Sequence, residues 1–219
     1  MSDQDLTTFA HLLRRSPHNL LSPRGLEELE ARHFPESMAF AATLPDGPRV
    51  LDIGSGGGIP GIVVAIARPD LVVHLLEATG KKARFLEATA AKLGLAITVH
   101  HGRAEELCDG ELSGSFDIVT ARAVAPMDRL VSWATPFLRT GGTLHAIKGD
   151  RWQSFLRESA QTIRKLPLEV ISTPDDQARP PPAAGPTLVV LPPTPAARHR
   201  SSSTAYFFRP SLPSAPLHV

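Results

Sequence analysis

Cysteine is nearly missing from this chain of 219 residues, in which Cys108 stands alone. An intrachain disulfide is therefore impossible, a cysteine-rich zinc site is excluded, and no metal site is expected. Cys108 itself is expected to be a small buried apolar residue rather than a reactive thiol. No apolar stretch is long enough to cross a membrane. The opening M-S-D-Q-D-L-T-T-F-A has acids where a signal peptide carries bases, and no apolar segment follows, so a cytoplasmic protein is expected. There is no internal repeat. Net charge is also small, +1, but it is unevenly spread. Residues 1–138 hold 13 Lys/Arg against 17 Asp/Glu, and residues 139–219 hold 10 against 5. A solvated tail explains part of that segregation, and a polyanion partner would use the rest.

What is present reads as one main globular domain, with 42% hydrophobic and 21% charged residues. Leu6, Phe9, Leu12 and Leu13 recur at helical spacing, and Pro23, Gly25 and Leu26 open a second amphipathic run reaching Leu44. The turn cluster P-D-G-P at 45–48 closes this region. Apolar runs then predict strands at 49–53, 71–76, 95–99, 116–120, 143–147, 168–171 and 187–191. Between them, helices are expected at 60–67, 81–93, 127–138 and 151–166; Gly94 ends one, and Gly141-Gly142 turns the chain. The alternation predicts an α/β fold: a doubly wound, mostly parallel sheet with helices on both faces. The expected organisation is an N-terminal helical extension (1–47), a main domain (48–191) and a Pro/Ser-rich tail (192–219). From Pro174 onward lie 11 of the 21 prolines, a composition expected to form loop or partly disordered chain.

The most informative stretch is D-I-G-S-G-G-G-I-P-G (52–61), placed between the first strand and the helix after it. In a doubly wound sheet that turn meets the ligand. Residues 56–61 even fit the dinucleotide pattern G-x-G-x-x-G, with Glu77 at the end of the second strand available to a ribose hydroxyl. Asp52 separates the readings. A carboxylate on the approaching strand would face the two negative charges of a pyrophosphate, which disfavours an NAD-linked oxidoreductase. S-adenosylmethionine instead carries an ammonium and a sulfonium, which a nearby acid favours directly or through water. The glycines would then let the backbone approach the methionyl part and adenosine, with Glu77 accepting from both ribose hydroxyls.

Other segments make the pattern more specific: E-A-T-G-K-K-A-R-F-L (77–86), G-R-A-E-E-L (102–107), T-A-R-A-V-A (120–125), K-G (148–149), N-L (19–20) and R-H-F-P-E-S (32–37). Over roughly residues 10–150 the chain resembles the RsmG family, also called GidB, the 16S ribosomal RNA guanine-N7 methyltransferases. The resemblance implies a class I, Rossmann-like fold with a seven-stranded sheet and S-adenosylmethionine as cofactor. It implies that Gly54, Gly56 and Ile59 line the cofactor, that Ala104 and Glu105 bracket the adenine, and that Arg122 lies beside cofactor and incoming base; Asp52, Ser55 and Glu77 are expected to bind cofactor with them. Lys81, Lys82, Arg122 and Lys148 are the candidates for RNA contact. The partner implied is 16S ribosomal RNA, in the small subunit or an assembly intermediate, and the protein is expected to act as a monomer. The chain departs from the family where Ser16-Pro17-His18 replaces its usual Trp-Asn pair, and beyond Pro174.

For that reaction no catalytic acid or base is expected. Guanine N7 carries an in-plane lone pair, unprotonated at neutral pH, so alignment and a site tolerant of a cationic product suffice. Accordingly, no N-P-P-Y or D-P-P-Y stretch is present, and Cys108 lacks the Pro-Cys context used on pyrimidine carbon. Two other readings remain: a methyltransferase for a small molecule or protein, and a ribosome-assembly factor of low activity on the same fold.

Overall fold

The computed structural model describes residues 2–122, 125–147, 169–171 and 187–191. Helix α1 (Ser2–Arg15) has Asp3 and Asp5 in its first turn and Arg14 and Arg15 in its last, which suits the helix dipole. After it, Ser22 caps α2 (Pro23–Glu27) by accepting from Gly25 N at 3.1 Å, with Pro23 at the first helical position. A π-helical turn (Leu29–His33) then runs into α3 (Phe34–Thr43). The sequence predicts one amphipathic run here; the π turn inserts a widened turn into it.

The α/β part follows in order: β1 (Arg49–Ile53), α4 (Gly61–Ala67), β2 (Val72–Glu77), α5 (Gly80–Leu93), β3 (Ile97–His101), α6 (Ala104–Leu107), β4 (Phe116–Arg122), α7 (Met127–Ala134), β5 (Leu138–Ile147), β6 (Glu169–Ile171) and β7 (Thr187–Leu191). They build one seven-stranded sheet in the order β3-β2-β1-β4-β5-β7-β6, with every neighbouring pair parallel. Parallel strands covered on both faces need continuous apolar runs, and in β1 Val50 to Ile53 are all buried. Gly94 ends α5 as expected, in the left-handed conformation at φ 63°.

Two expectations are corrected around residues 134–143. The helix predicted over 127–138 stops at Ala134, because Pro136 leads a short 3-10 turn, Thr135–Phe137. Gly141-Gly142 is not a turn between elements but part of β5. Leu138 pairs with Phe116 and Thr143 with Ile118, so the β5 side carries extra residues, and Gly141 absorbs them at φ 77°. Cys108 is half-buried rather than buried, with its Sγ 3.4 Å from Glu105 O. The helix expected at 151–166, Lys148 and the tail lie outside the described residues.

One core lies on each face of the sheet. Phe9, Leu13, Leu20, Leu29 and Phe34 from the N-terminal helices pack with Ile62 and Val63 of α4, Leu75 of β2 and Leu86 of α5. The second face holds Leu51, Phe116, Leu130, Phe137 and Leu144. The N-terminal helices thus share the core of the domain. Arg68, just past α4, fixes their far end: its guanidinium donates to Ala41 O (3.2 Å), Leu44 O (2.8 Å) and Pro45 O (2.8 Å) and pairs with Asp70 at 2.7 Å.

On the second face, His74 Nδ1 lies 2.9 Å from His100 Nε2, and its ring meets Phe116 edge-on. Burial, then the charges of His100 and Arg49, push His74 down to about 4 from 6.5. Below 6.5 the unfolded chain takes up a proton that this ring refuses, so its contribution is present above that window and lost as pH falls through it. His74→Phe keeps the ring contact without the titration. Its acid-unfolding midpoint is expected below that of the parent, and an unchanged midpoint in an acid titration would reject this account.

Candidate functional site

The carboxyl ends of β1, β2, β3 and β4 converge on the glycine loop. Register places Asp52 between Leu75 of β2 and Thr120 of β4, so β4 runs two residues further to bring Arg122 to the same edge. The loop turns back over the sheet: Gly54 N and Ser55 N both donate to Leu76 O, at 2.8 and 3.1 Å, and Gly58 N to Ser55 O at 2.7 Å. Such a path requires left-handed backbone, supplied at Gly54 (φ 68°), Gly56 (φ 56°) and Gly58 (φ 90°). Helix α1 and the segment after it cover the loop from outside. A Cβ on Gly57 would stand 3.2 Å from Leu13, and one on Gly58 only 3.3 Å from Phe9.

Glu77 ends β2 almost buried and anchors two turns at once. Its Oε2 accepts from Gly56 N at 2.9 Å and its Oε1 from Thr79 N at 2.7 Å. A carboxylate has about four acceptor positions, so lone pairs remain for a ligand hydroxyl on either oxygen.

Asp52 sits deeper, 1% exposed, beneath the first turn of α4. Its Oδ2 accepts from Gly61 N at 3.2 Å, and Ser55 Oγ donates to its backbone carbonyl at 2.7 Å. The fit is close, because a Cβ on Gly61 would strike Leu75 and come within 2.8 Å of that same oxygen. Burial pushes the Asp52 carboxyl up to about 7, against the opposing pull of Gly61 N, Ser55 and the Arg122 charge. A buried acid so sparsely compensated favours a cation arriving nearby. Its depth leaves little room for the direct ligand contact the sequence also allowed.

The remaining predicted residues are spread around this edge. Ser55 is buried, Gly54 exposed and Gly56 partly covered; Ile59 belongs to the core beneath α1. Ala104 is buried at the start of α6 and Glu105 beside it is exposed. Lys81 is exposed and Lys82 half-buried in the first turn of α5. Arg122 is half-buried, and its Nη1 meets His33 Nδ1 at 2.9 Å. Burial pulls its pKa below the ordinary value, while Glu36 and Asp52 oppose that and Arg32 adds to it. Spacing arguments did not single out His33, Glu36 or Thr79, and gave Gly61 only as the last glycine of G-x-G-x-x-G. The stretch R-H-F-P-E-S that holds His33 and Glu36 lies nearly ninety residues before Arg122, where periodicity has no reach.

Strand order, glycine loop and acidic second-strand terminus together define the Rossmann-like fold of the class I S-adenosylmethionine-dependent methyltransferases. Cofactor-bound Rv0187 from MTB shares that fold, with a TM-score of 0.51 and 21% identity over 75% of this chain and 79% of the other. More specifically, the chain belongs to the GidB family, rRNA small subunit methyltransferase G, which it matches over residues 3–179. The curated relative from Mycolicibacterium smegmatis named Ribosomal RNA small subunit methyltransferase G is 43% identical over 147 residues, covering 67% of this chain and 63% of its own length. Its counterpart from Mycobacterium marinum is 44% identical over 147 residues, covering 67% and 64%. The chain therefore spans slightly less than two thirds of the length of these relatives.

Proposed function

We propose that this protein methylates N7 of a guanosine in 16S ribosomal RNA, with S-adenosylmethionine as methyl donor. The observation that carries the cofactor half is the buried, undercompensated Asp52 beneath a glycine loop that Glu77 pins from the side. Family membership carries the substrate half. In this reading Gly54, Ser55 and Gly56 hold the methionyl end, Glu77 the ribose, and Ala104 with Glu105 the adenine, with Ile59 supporting the loop from the core. The cofactor supplies an electrophilic methyl group. The chain's own part is to align it with N7, to exclude water, and to accept a base that becomes cationic, which needs no proton to be removed. Arg122, beside the cofactor, would also reach the incoming base, and it and Lys148 would bind phosphate or guanine O6, an edge that arginine and lysine read well. Lys81 and Lys82 would extend the basic surface along α5. The target base must leave its stack, which favours an exposed loop of the RNA in the small subunit or its precursor.

Among the described residues no helix is long and apolar enough to cross a membrane; a cytoplasmic place of action follows from the ribosomal substrate proposed. In the organisation proposed, residues 1–47 serve the methyltransferase unit at 48–191.

The test is transfer of labelled methyl from S-adenosylmethionine to small ribosomal subunits lacking the modification, mapped by borohydride and aniline cleavage. One cleavage in the 16S RNA is expected. Intact cofactor binding with no incorporation would send the search to another substrate.

A further inference from the structure

The contact between Arg122 and His33 fixes more than a distance. A guanidinium has only donors, so at 2.9 Å His33 Nδ1 must accept, which makes the ring neutral with its hydrogen on Nε2. The π turn sets that ring in place: Arg32 N and His33 N both return to Glu28 O, at 2.9 and 3.1 Å, and Ser37 Oγ donates to His33 O at 2.7 Å. Widened turns of this kind recur at functional sites. Around the ring stand Glu36, with Oε2 3.8 Å from Nδ1 and Oε1 held by Arg32 Nε at 3.0 Å, and Glu28, which bonds Arg32 and Arg24. On its other side Arg122 feels the charges of Glu36, Asp52 and Arg32.

We infer that His33 is a positioning residue: a neutral imidazole acceptor, carried by the N-terminal helices, that aims Arg122 into the cofactor end of the site. The inference rests on the proposed role of Arg122 beside the cofactor. An imidazole suits this task better than a carboxylate. It satisfies one donor of a half-buried guanidinium and holds its direction, yet leaves the positive charge free to act on a ligand carboxylate or carbonyl. Residues 1–47 thereby become a working part of the methyl-transfer site as well as its outer layer.

A calorimetric double-mutant cycle with S-adenosylmethionine, run without RNA, tests this. His33→Ala is expected to weaken binding roughly tenfold, the worth of one hydrogen bond to a charged group. Added to Arg122→Ala, it is expected to cost nothing further. His33→Asn, whose Oδ1 can stand near the place of Nδ1, is expected to recover most of the loss. Additive losses, or equal losses in the alanine and asparagine variants, would overturn the inference. Should His33→Ala not fold, the ring-nitrogen NMR shifts of His33 decide. The Nε2–H tautomer is expected in the parent protein and its dominance lost in Arg122→Ala; a ring indifferent to Arg122 overturns the inference. Failure of methyl transfer to 16S RNA with this cycle intact would reject the proposed substrate and leave the inference standing. A parent protein that does not bind S-adenosylmethionine would reject both.

Discussion

Glu77→Ala is expected to abolish measurable cofactor binding, weakening it by about a hundredfold or more. Two ribose hydroxyls would lose a charged acceptor, each such bond being worth roughly 1.5–3 kcal/mol. The same change strips Gly56 N and Thr79 N of their acceptor, so the glycine loop and the turn into α5 lose a common anchor. Glu77→Gln separates the two effects. Its amide oxygen can keep one backbone bond, but the NH2 group meets a donor at the other, and the ribose loses a carboxylate. An intermediate loss is expected, with unfolding close to that of the parent. Calorimetry on folded variants checks both, and unchanged affinity in folded Glu77→Ala would reject the assignment.

Arg68→Ala is expected to be strongly destabilising for a residue outside the apolar core. It removes the guanidinium donor from Leu44 O and Pro45 O, leaves Ala41 O to its 3.3 Å bond from Leu44 N, and leaves Asp70 to Gly47 N. With the Arg68 side chain 18% exposed, water replaces only part of this. An expected cost of roughly 2–4 kcal/mol corresponds to a fall of about 5–15 °C in Tm for a chain of this size. Arg68→Lys is expected to recover little, because a compact ammonium cannot span three carbonyls and a carboxylate in one plane. Thermal unfolding measures it; a loss below about 0.5 kcal/mol would show that the bonds are dispensable.

Most of the sheet was legible because its strands are short apolar runs with turn residues between them, and period and burial agree there. Around Pro136 legibility failed for a local reason. Gly141-Gly142 has the composition of a turn, and only the partner strand reveals that the same residues absorb a bulge. The cofactor end of the site was legible because its parts fall at fixed places relative to strand ends: Asp52 within β1, Glu77 closing β2, Ala104 after β3, Arg122 closing β4. What Arg122 touches was not. His33 comes from a helix before the sheet begins, and a π turn in an apparently regular amphipathic run has no clear sequence mark. Nor does a glycine-rich loop announce which glycine is needed for φ and which for space. Gly61 has no positive φ, yet it is where Leu75 and Asp52 leave no room for a side chain.

Asp52, poised at about 7, has a consequence for the energetics of loading the site. Burial without a full countercharge makes that carboxyl keep its hydrogen to a higher pH than an exposed one would. In the proposed site a sulfonium and an ammonium arriving above it would favour the ionised form, so cofactor uptake is expected to release a proton and affinity to rise with pH until Asp52 is fully ionised. The heat of association then depends on what the surrounding buffer does with the liberated proton. Exchanging the sulfonium for its neutral thioether lets part of that proton return. In the proposed site, product departure and re-protonation of a buried acid would in this way be linked, and the carboxyl beneath the loop is expected to favour fresh over spent cofactor.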